Sequence, residues 1–69
     1  MTPNGIHIRA IRTAQKMSIR TLSTETELDR GYLSRLERGL IRKPAQIRLK
    51  SVAEALGVPL TAITHEENP

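Results

Sequence analysis

The chain has 69 residues and a mass of 7.7 kDa, which is enough for one small domain built around one hydrophobic core. It contains no cysteine, which excludes disulfides, thiol nucleophiles and cysteine ligands for zinc, and its formal charge is +4. No apolar run approaches the ~20 residues of a membrane span, and no charged-then-apolar leader opens the chain, so we expect a cytosolic protein.

The first two predicted elements are short helices. The first begins near Thr2 and Pro3, where a hydroxyl cap precedes a proline suited to the first helical position, and Asn4 is the alternative cap. The second follows Ser18, whose side-chain oxygen can accept a free amide of the next turn, and covers residues 19–26. Both helices therefore begin at an identifiable capping residue.

The remaining elements are also predicted as helices. Asp29 caps a third helix, which ends at Gly39, a residue that adopts a left-handed conformation without steric cost. A fourth helix covers residues 45–56 and stops at Gly57, and a last turn or short helix covers 59–64. No apolar and polar alternation predicts a strand, so the predicted fold class is all-α, with five short helices.

Positive charge is concentrated in one stretch of the chain. Between residues 30 and 50, seven basic residues accompany one acidic residue, whereas residues 51–69 contain three acids and no base. A field of this kind attracts polyanions, although a basic surface can also serve solubility alone. We expect residues 65–69 to form a flexible acidic tail behind a domain that covers residues 2–64.

The third helix has two different faces. Leu33 and Leu36 must face the core, and helical spacing then places polar and small residues on the outer face. That outer face comprises Arg30, Gly31, Ser34, Arg35 and Arg38. Exposed arginines near the start of a helix suit insertion into the major groove of DNA, where a guanidinium pairs bidentately with guanine. Many surface helices nevertheless carry arginines and bind nothing, so this face alone does not decide the function.

The segments around this helix follow a known arrangement. Leu22, Ser23 and Leu28 provide small or apolar positions where a short helix and a tight turn precede a crossing helix, as in a helix-turn-helix. The sequence LSRLERG (33–39), a basic loop up to Pro44 and the sequence VAEALGV (52–58) resemble the Cro and phage-repressor family, often called the Xre type. The IRAIR (8–12) and Met-Ser (17–18) sequences are also similar to this family.

The resemblance implies a lambda-repressor-like DNA-binding domain whose third helix enters the major groove. By position, the residues that would read base edges are Arg30, Gly31, Ser34 and Arg35. Contacts with the DNA backbone would come from Ser18, Ile19, Arg20, Tyr32, Arg38, Arg42 and Lys43. Ile19 stands where the family often has glutamine, so Arg20 is the alternative side-chain contact. For Tyr32, packing at the edge of the core is an equally weighted alternative to a contact with DNA.

A structural ion pair is also implied. Arg12 in the first helix and Glu37 at the end of the third occupy positions that commonly pair in the family. Two residues, Glu27 and Ala45, depart from the family pattern, and Ile47 has an unusual position on its helix. Glu27 stands at a turn position often held by glycine, so the turn either differs or strains Glu27. Ala45 replaces the usual hydroxyl cap, and Ile47 faces away from the core, toward either the loop or a dimer partner that also contacts Leu40 or Ile41.

The sequence contains no candidate catalytic site. His7 and His65 lie far apart without cysteines or paired carboxylates, so we expect no metal, no cofactor and no enzymatic activity.

The predicted function is sequence-specific binding of double-stranded DNA by a transcriptional regulator, most simply a repressor, as a weak or DNA-induced homodimer. The alternatives are an antitoxin or a phage or plasmid control protein, with a protein partner bound through residues 51–69, and a protein-interaction module on the same fold.

Overall fold

A computed structural model describes residues 2–65 and folds them into four α-helices, one 3₁₀ helix and a two-stranded sheet. The helices are α1 (Gly5–Ala14), α2 (Ile19–Thr26), α3 (Arg30–Glu37) and α4 (Gln46–Leu56), followed by the 3₁₀ helix (Leu60–Ile63). The strands are β1 (Thr2–Pro3) and β2 (Thr64–His65). The predicted all-α class is confirmed, and the fifth predicted helix is the 3₁₀ helix.

The small sheet joins the two ends of the described chain. β1 and β2 pair antiparallel, with Thr2 opposite His65 and Pro3 opposite Thr64. The expectation that the chain has no strand is therefore wrong, because strands of two residues leave no alternation in the sequence. His65 belongs to β2 and not to the predicted tail, whose other residues, 66–69, lie outside the described residues.

The start of α1 corrects a second expectation. Thr2 and Pro3 lie in β1, and the cap is the alternative residue Asn4, whose Oδ1 accepts the amide of His7 at 3.1 Å. The backbone amide of Asn4 donates to the carbonyl of Ile63 at 2.8 Å. Pairing of the two ends of the described chain thus extends Thr2 and Pro3, and α1 begins only after Asn4.

The predicted helix boundaries elsewhere are confirmed. Ser18 Oγ accepts the amide of Thr21 at 3.0 Å, and Asp29 Oδ2 accepts the amide of Tyr32 at 3.2 Å. Gly39 and Gly57 follow α3 and α4 with φ angles of 76° and 70°. Ala45 precedes α4 without a side-chain cap, as its methyl group requires.

Of the two alternatives left open for the turn between α2 and α3, the structure shows the one in which Glu27 is strained. Glu27 adopts the left-handed conformation, with φ 59° and ψ 23°, at the position where glycine is common. Ser23 Oγ donates to the carbonyl of Leu28 at 2.5 Å and links α2 to the end of this turn. The turn therefore has the usual geometry, and a residue with a Cβ atom bears its steric cost.

The hydrophobic core lies between the helices, which each contribute to it. Its fully or almost fully buried members are Ile8, Leu22, Leu33, Leu36, Leu49, Val52, Ala53, Leu56 and Ile63. Leu33 and Leu36 have no exposed surface, so α3 is held from behind as predicted. The 3₁₀ helix closes one end of the core through Ile63.

An ion pair connects α1 with the end of α3. Arg12 Nε and Nη2 donate to the two carboxylate oxygens of Glu37 at 2.7 and 3.1 Å, and Nη1 donates to the carbonyl of Met17 at 2.8 Å. Glu37 is buried and Arg12 nearly so. The hydrogen bond to Glu37 raises the pKa of Arg12, against the opposing effect of burial. Arg12 therefore stays charged at physiological pH, and its contribution to stability is lost only as the pH rises through that raised pKa.

The first residue of α1 contacts the backbone at the end of α3. A Cβ atom added to Gly5 would lie 2.5 Å from the carbonyl oxygen of Leu36 and still closer to that of Glu37. Real Cβ atoms do not approach backbone oxygens this closely, so only glycine fits. This contact positions the end of α3 against α1, next to the Arg12–Glu37 pair.

Candidate nucleic-acid interface

The outer face of α3 presents the predicted base-reading residues together. Arg30, Gly31 and Arg35 are exposed and Ser34 is half-buried, whereas Leu33 and Leu36 on the opposite face are fully buried. Within residues 2–65, neither Arg30 nor Arg35 has a hydrogen bond or ion pair through its guanidinium. Both cations are therefore available to an external acceptor.

Gly31 leaves space that two neighbouring side chains use. A Cβ atom at this position would lie 2.9 Å from Asp29 Oδ2, the atom that caps α3, and 3.4 Å from Arg35 Nη1. The guanidinium of Arg35 thus lies back along the helix, above Gly31. A larger residue here would displace the cap, the guanidinium or both.

The start of α2 lies beside α3 and presents a different kind of contact. Ser18 and Arg20 are exposed, whereas Ile19 is half-buried and packs against the core. Its side chain serves packing, so any contact that Ile19 makes with a phosphate would use its backbone amide. The first amides of a helix have no partner inside it and attract anions.

Tyr32 packs inward in this structure. Its ring contacts the core, its hydroxyl oxygen is buried without a hydrogen-bond partner among the described residues, and the guanidinium carbon of Arg48 lies 5.0 Å from the ring centre. An enclosed hydroxyl is not presented to a phosphate. The geometry therefore favours core packing over the DNA-backbone contact predicted for Tyr32.

The segment between α3 and α4 adds further positive charge. Arg38, Arg42 and Lys43 are exposed on it. Of its apolar residues, Leu40 is 62% exposed, whereas Ile41 packs against the core. Ile41 is thus less accessible for the predicted dimer contact than Leu40 and the 74% exposed Ile47 of α4.

A groove of about 820 Å³ separates this segment from the paired chain ends. Its lining residues include Arg42 and Lys43 of this segment and Pro3 and His65 of the two strands. The sequence did not predict this groove, since it depends on the pairing of β1 with β2. No helix between residues 2 and 65 is long and apolar enough to cross a membrane.

A short helix, a tight turn and a crossing helix with an exposed basic face define this molecule as a helix-turn-helix domain. Residues 8–63 match the helix-turn-helix family model, and the chain therefore belongs to the helix-turn-helix family, which confirms the resemblance to the Xre type. The chain is also 38% identical over 63 residues to an immunity repressor protein of Bacillus phage phi105. That match covers 91% of this chain and 43% of the phage protein, so the chain spans less than half the length of this relative.

Solved structures of similar shape include regulators. The restriction-modification controller protein C.AhdI from Aeromonas hydrophila superposes with a TM-score of 0.78 at 33% identity, over 84% of this chain and 86% of that one. SinR, a master regulator of biofilm formation solved in complex with DNA, gives a TM-score of 0.78 at 29% identity, over 84% and 94% of the two chains. SinR has also been solved in a complex with the SinI protein.

Proposed function

We propose that this chain is a sequence-specific double-stranded DNA-binding regulator that represses transcription by occupying an operator. One observation carries the proposal: Arg30, Ser34 and Arg35 share the accessible face of α3, while two fully buried leucines hold the helix from behind. The basic stretch around this face and the family membership of the chain support it. C.AhdI and SinR are regulators, which supports a binding function rather than catalysis, and DNA binding would place the protein in the cytoplasm.

Base reading would depend on α3 in the major groove. A guanidinium there donates two hydrogen bonds to the O6 and N7 atoms of one guanine, and a hydroxyl contacts several bases. Arg30 and Arg35 provide the guanidinium groups, and Ser34 provides the hydroxyl. Gly31 leaves room for the carboxylate of Asp29 that caps the helix and for the guanidinium of Arg35, which lies back along the helix above it.

Phosphate contacts would position the domain and supply most of its affinity. The exposed cations beside α3 are Arg20, Arg38, Arg42 and Lys43, and the first amides of α2 add uncharged donors. If one chain neutralises ~4 phosphates, the logarithm of the binding constant falls against the logarithm of the salt concentration with a slope near −3.6. A slope near zero would contradict this role.

A homodimer, either weak or induced by DNA, would bind two half-sites about one helical turn apart. The exposed Leu40 and Ile47 are the apolar residues available for such a contact. A second candidate function is a regulator held by a protein partner, as an antitoxin or a phage control protein would be. The acidic balance of residues 51–69 and the solved SinR–SinI complex favour it. The mass of the complex on a selected DNA site distinguishes one bound copy from two.

The decisive experiment begins with selection of binding sites from a random duplex library. Arg35→Ala should then weaken binding to the selected site by about 1–3 kcal/mol and weaken binding to random duplex less. Lys50→Ala, which removes an exposed cation from α4, is the matched control and should affect both duplexes equally. If Arg35→Ala behaves like Lys50→Ala, Arg35 does not read a base.

A further inference from the structure

A second, smaller cleft lies beside the base-reading face of α3. It has a volume of about 220 Å³ and opens between α1, the first residue of α2 and the second half of α3. Its lining residues are Arg9, Arg12, Ile19, Ser34, Glu37 and Arg38. Three of the six are arginines and one is a carboxylate, so the lining carries a net positive charge.

The three arginines of this cleft are in different electrostatic states. Arg12 is neutralised by Glu37, which accepts two hydrogen bonds from it. Arg9 and Arg38 are exposed, and neither guanidinium has a hydrogen bond or an ion pair within residues 2–65. The cleft therefore has a neutral ion pair in its lining and two unpaired cations, one from α1 and one from the residue that follows α3.

Arg9 reaches this position because of its spacing on α1. It precedes Arg12 by three residues, and residues three apart lie on the same side of a helix. Arg12 is fixed by Glu37 at the end of α3, so the same side of α1 faces α3 at Arg9. Arg38 is the first residue after α3 and donates its backbone amide to the carbonyl of Ser34 at 3.1 Å, which fixes its backbone at the cleft.

We propose that Arg9 is a further DNA-contacting residue, and that Arg9 and Arg38 together bind one phosphate of the DNA backbone over this cleft. The proposal rests on the proposed function and names a residue that the sequence did not single out. Guanidinium groups bind phosphate oxygens through paired, charge-assisted hydrogen bonds. Ile19 is the first residue of α2 and lines the same cleft. The positive potential at the amino-terminal end of this helix also attracts an anion.

The position of this phosphate gives it a role in alignment. Ser34 lines the cleft and also belongs to the base-reading face of α3. A phosphate held here would therefore lie directly beside the bases that α3 reads, and it would fix the depth and direction of α3 in the groove. Arg9 would contribute affinity without contributing sequence preference, since phosphates carry no base information.

The first test compares Arg9→Gln with Lys50→Gln, an equal change of charge on an exposed residue that does not line the cleft. Dissociation constants on the selected duplex and on random duplex are measured between 50 and 200 mM salt. Arg9→Gln should reduce the steepness of the salt dependence by up to about 0.9, so that wild type loses up to about 3.5-fold more affinity over this range than the variant does. The reduction should be equal on both duplexes, and the urea midpoint should not change.

The second test locates the phosphate. Each phosphate of the selected duplex is replaced in turn by an uncharged methylphosphonate. At one position the replacement should weaken wild type most, weaken Arg9→Gln and Arg38→Gln less, because each keeps one of the two arginines, and leave the double variant Arg9→Gln/Arg38→Gln unaffected. The shared site would be overturned if the phosphate whose replacement has a reduced effect differs between Arg9→Gln and Arg38→Gln. It would also be overturned if the salt dependence of Arg9→Gln equals that of Lys50→Gln. Both results would leave DNA binding itself intact. A wild-type chain that binds no duplex would overturn the proposed function and this inference together.

Discussion

Replacing Glu37 by alanine removes the carboxylate that accepts two hydrogen bonds from Arg12, at 2.7 and 3.1 Å. The side chain of Arg12 is only 13% exposed, so in the variant its guanidinium keeps the hydrogen bond to the carbonyl of Met17 and has little access to water. Removing one partner of a buried pair costs about 3–5 kcal/mol. We expect about 3 kcal/mol, the lower end of that range, because Met17 still accepts one hydrogen bond. A domain of this size has a stability on the order of 3–10 kcal/mol, so roughly a third or more of it is lost.

Urea unfolding followed by far-ultraviolet circular dichroism measures this loss. With a slope of about 1 kcal/mol per molar for a small domain, the midpoint of Glu37→Ala falls by about 3 M. Glu37→Gln keeps one acceptor oxygen and should lie between this variant and wild type. Glu54→Ala, which removes an exposed carboxylate from α4, is the matched control and should shift the midpoint by less than about 0.5 M. A Glu37→Ala midpoint equal to that of the control would refute the structural role of the pair.

Three further variants test other parts of the fold by the same midpoint. Gly5→Ala should cost about 1–3 kcal/mol or more, because its methyl group overlaps backbone carbonyls at the end of α3; an unchanged midpoint would contradict that close approach. Tyr32→Phe removes a buried hydroxyl without a partner among residues 2–65, so stability should stay constant or rise by up to about 1 kcal/mol and DNA affinity should not change. A loss of DNA affinity in this variant would instead support the phosphate contact predicted for Tyr32. Ala45→Ser should add about 1 kcal/mol, because Ala45 already has an extended backbone suited to a cap and only lacks the oxygen.

The parts of the fold that were predictable are those that local chemistry decides. The caps Ser18 and Asp29 each accept an amide three residues further along, so a short stretch of sequence is sufficient to identify them. The two faces of α3 follow from helical spacing once Leu33 and Leu36 are assigned to the core. The Arg12–Glu37 pair joins residues 25 positions apart and was implied only by the family resemblance.

The features that the sequence did not reveal depend on contacts between distant segments. The β1–β2 pairing joins residues at opposite ends of the described chain and leaves no periodic pattern. The position of Arg48 over Tyr32 depends on how α4 crosses α3. Arg9 belongs to the cleft only because Arg12, one turn further along α1, is fixed to α3. Basic residues near an ion pair implied by resemblance are the one signal that could have singled out Arg9.

The length of α3 links the stability of the domain to its reading of DNA. α3 has eight residues, and isolated helices shorter than about 12–15 residues are marginal in water. Its helical conformation therefore depends on the buried contacts of Leu33, Leu36 and Glu37, while its exposed residues contribute little to folding. Variants on the buried side weaken DNA binding by reducing the folded population, and a duplex at a hundred times its dissociation constant restores about 2.7 kcal/mol of stability. Variants on the exposed side weaken binding with the fold intact. Their free energy of unfolding, measured without DNA, should therefore equal that of wild type. The two classes of residue on this one helix therefore differ in how affinity and stability change together.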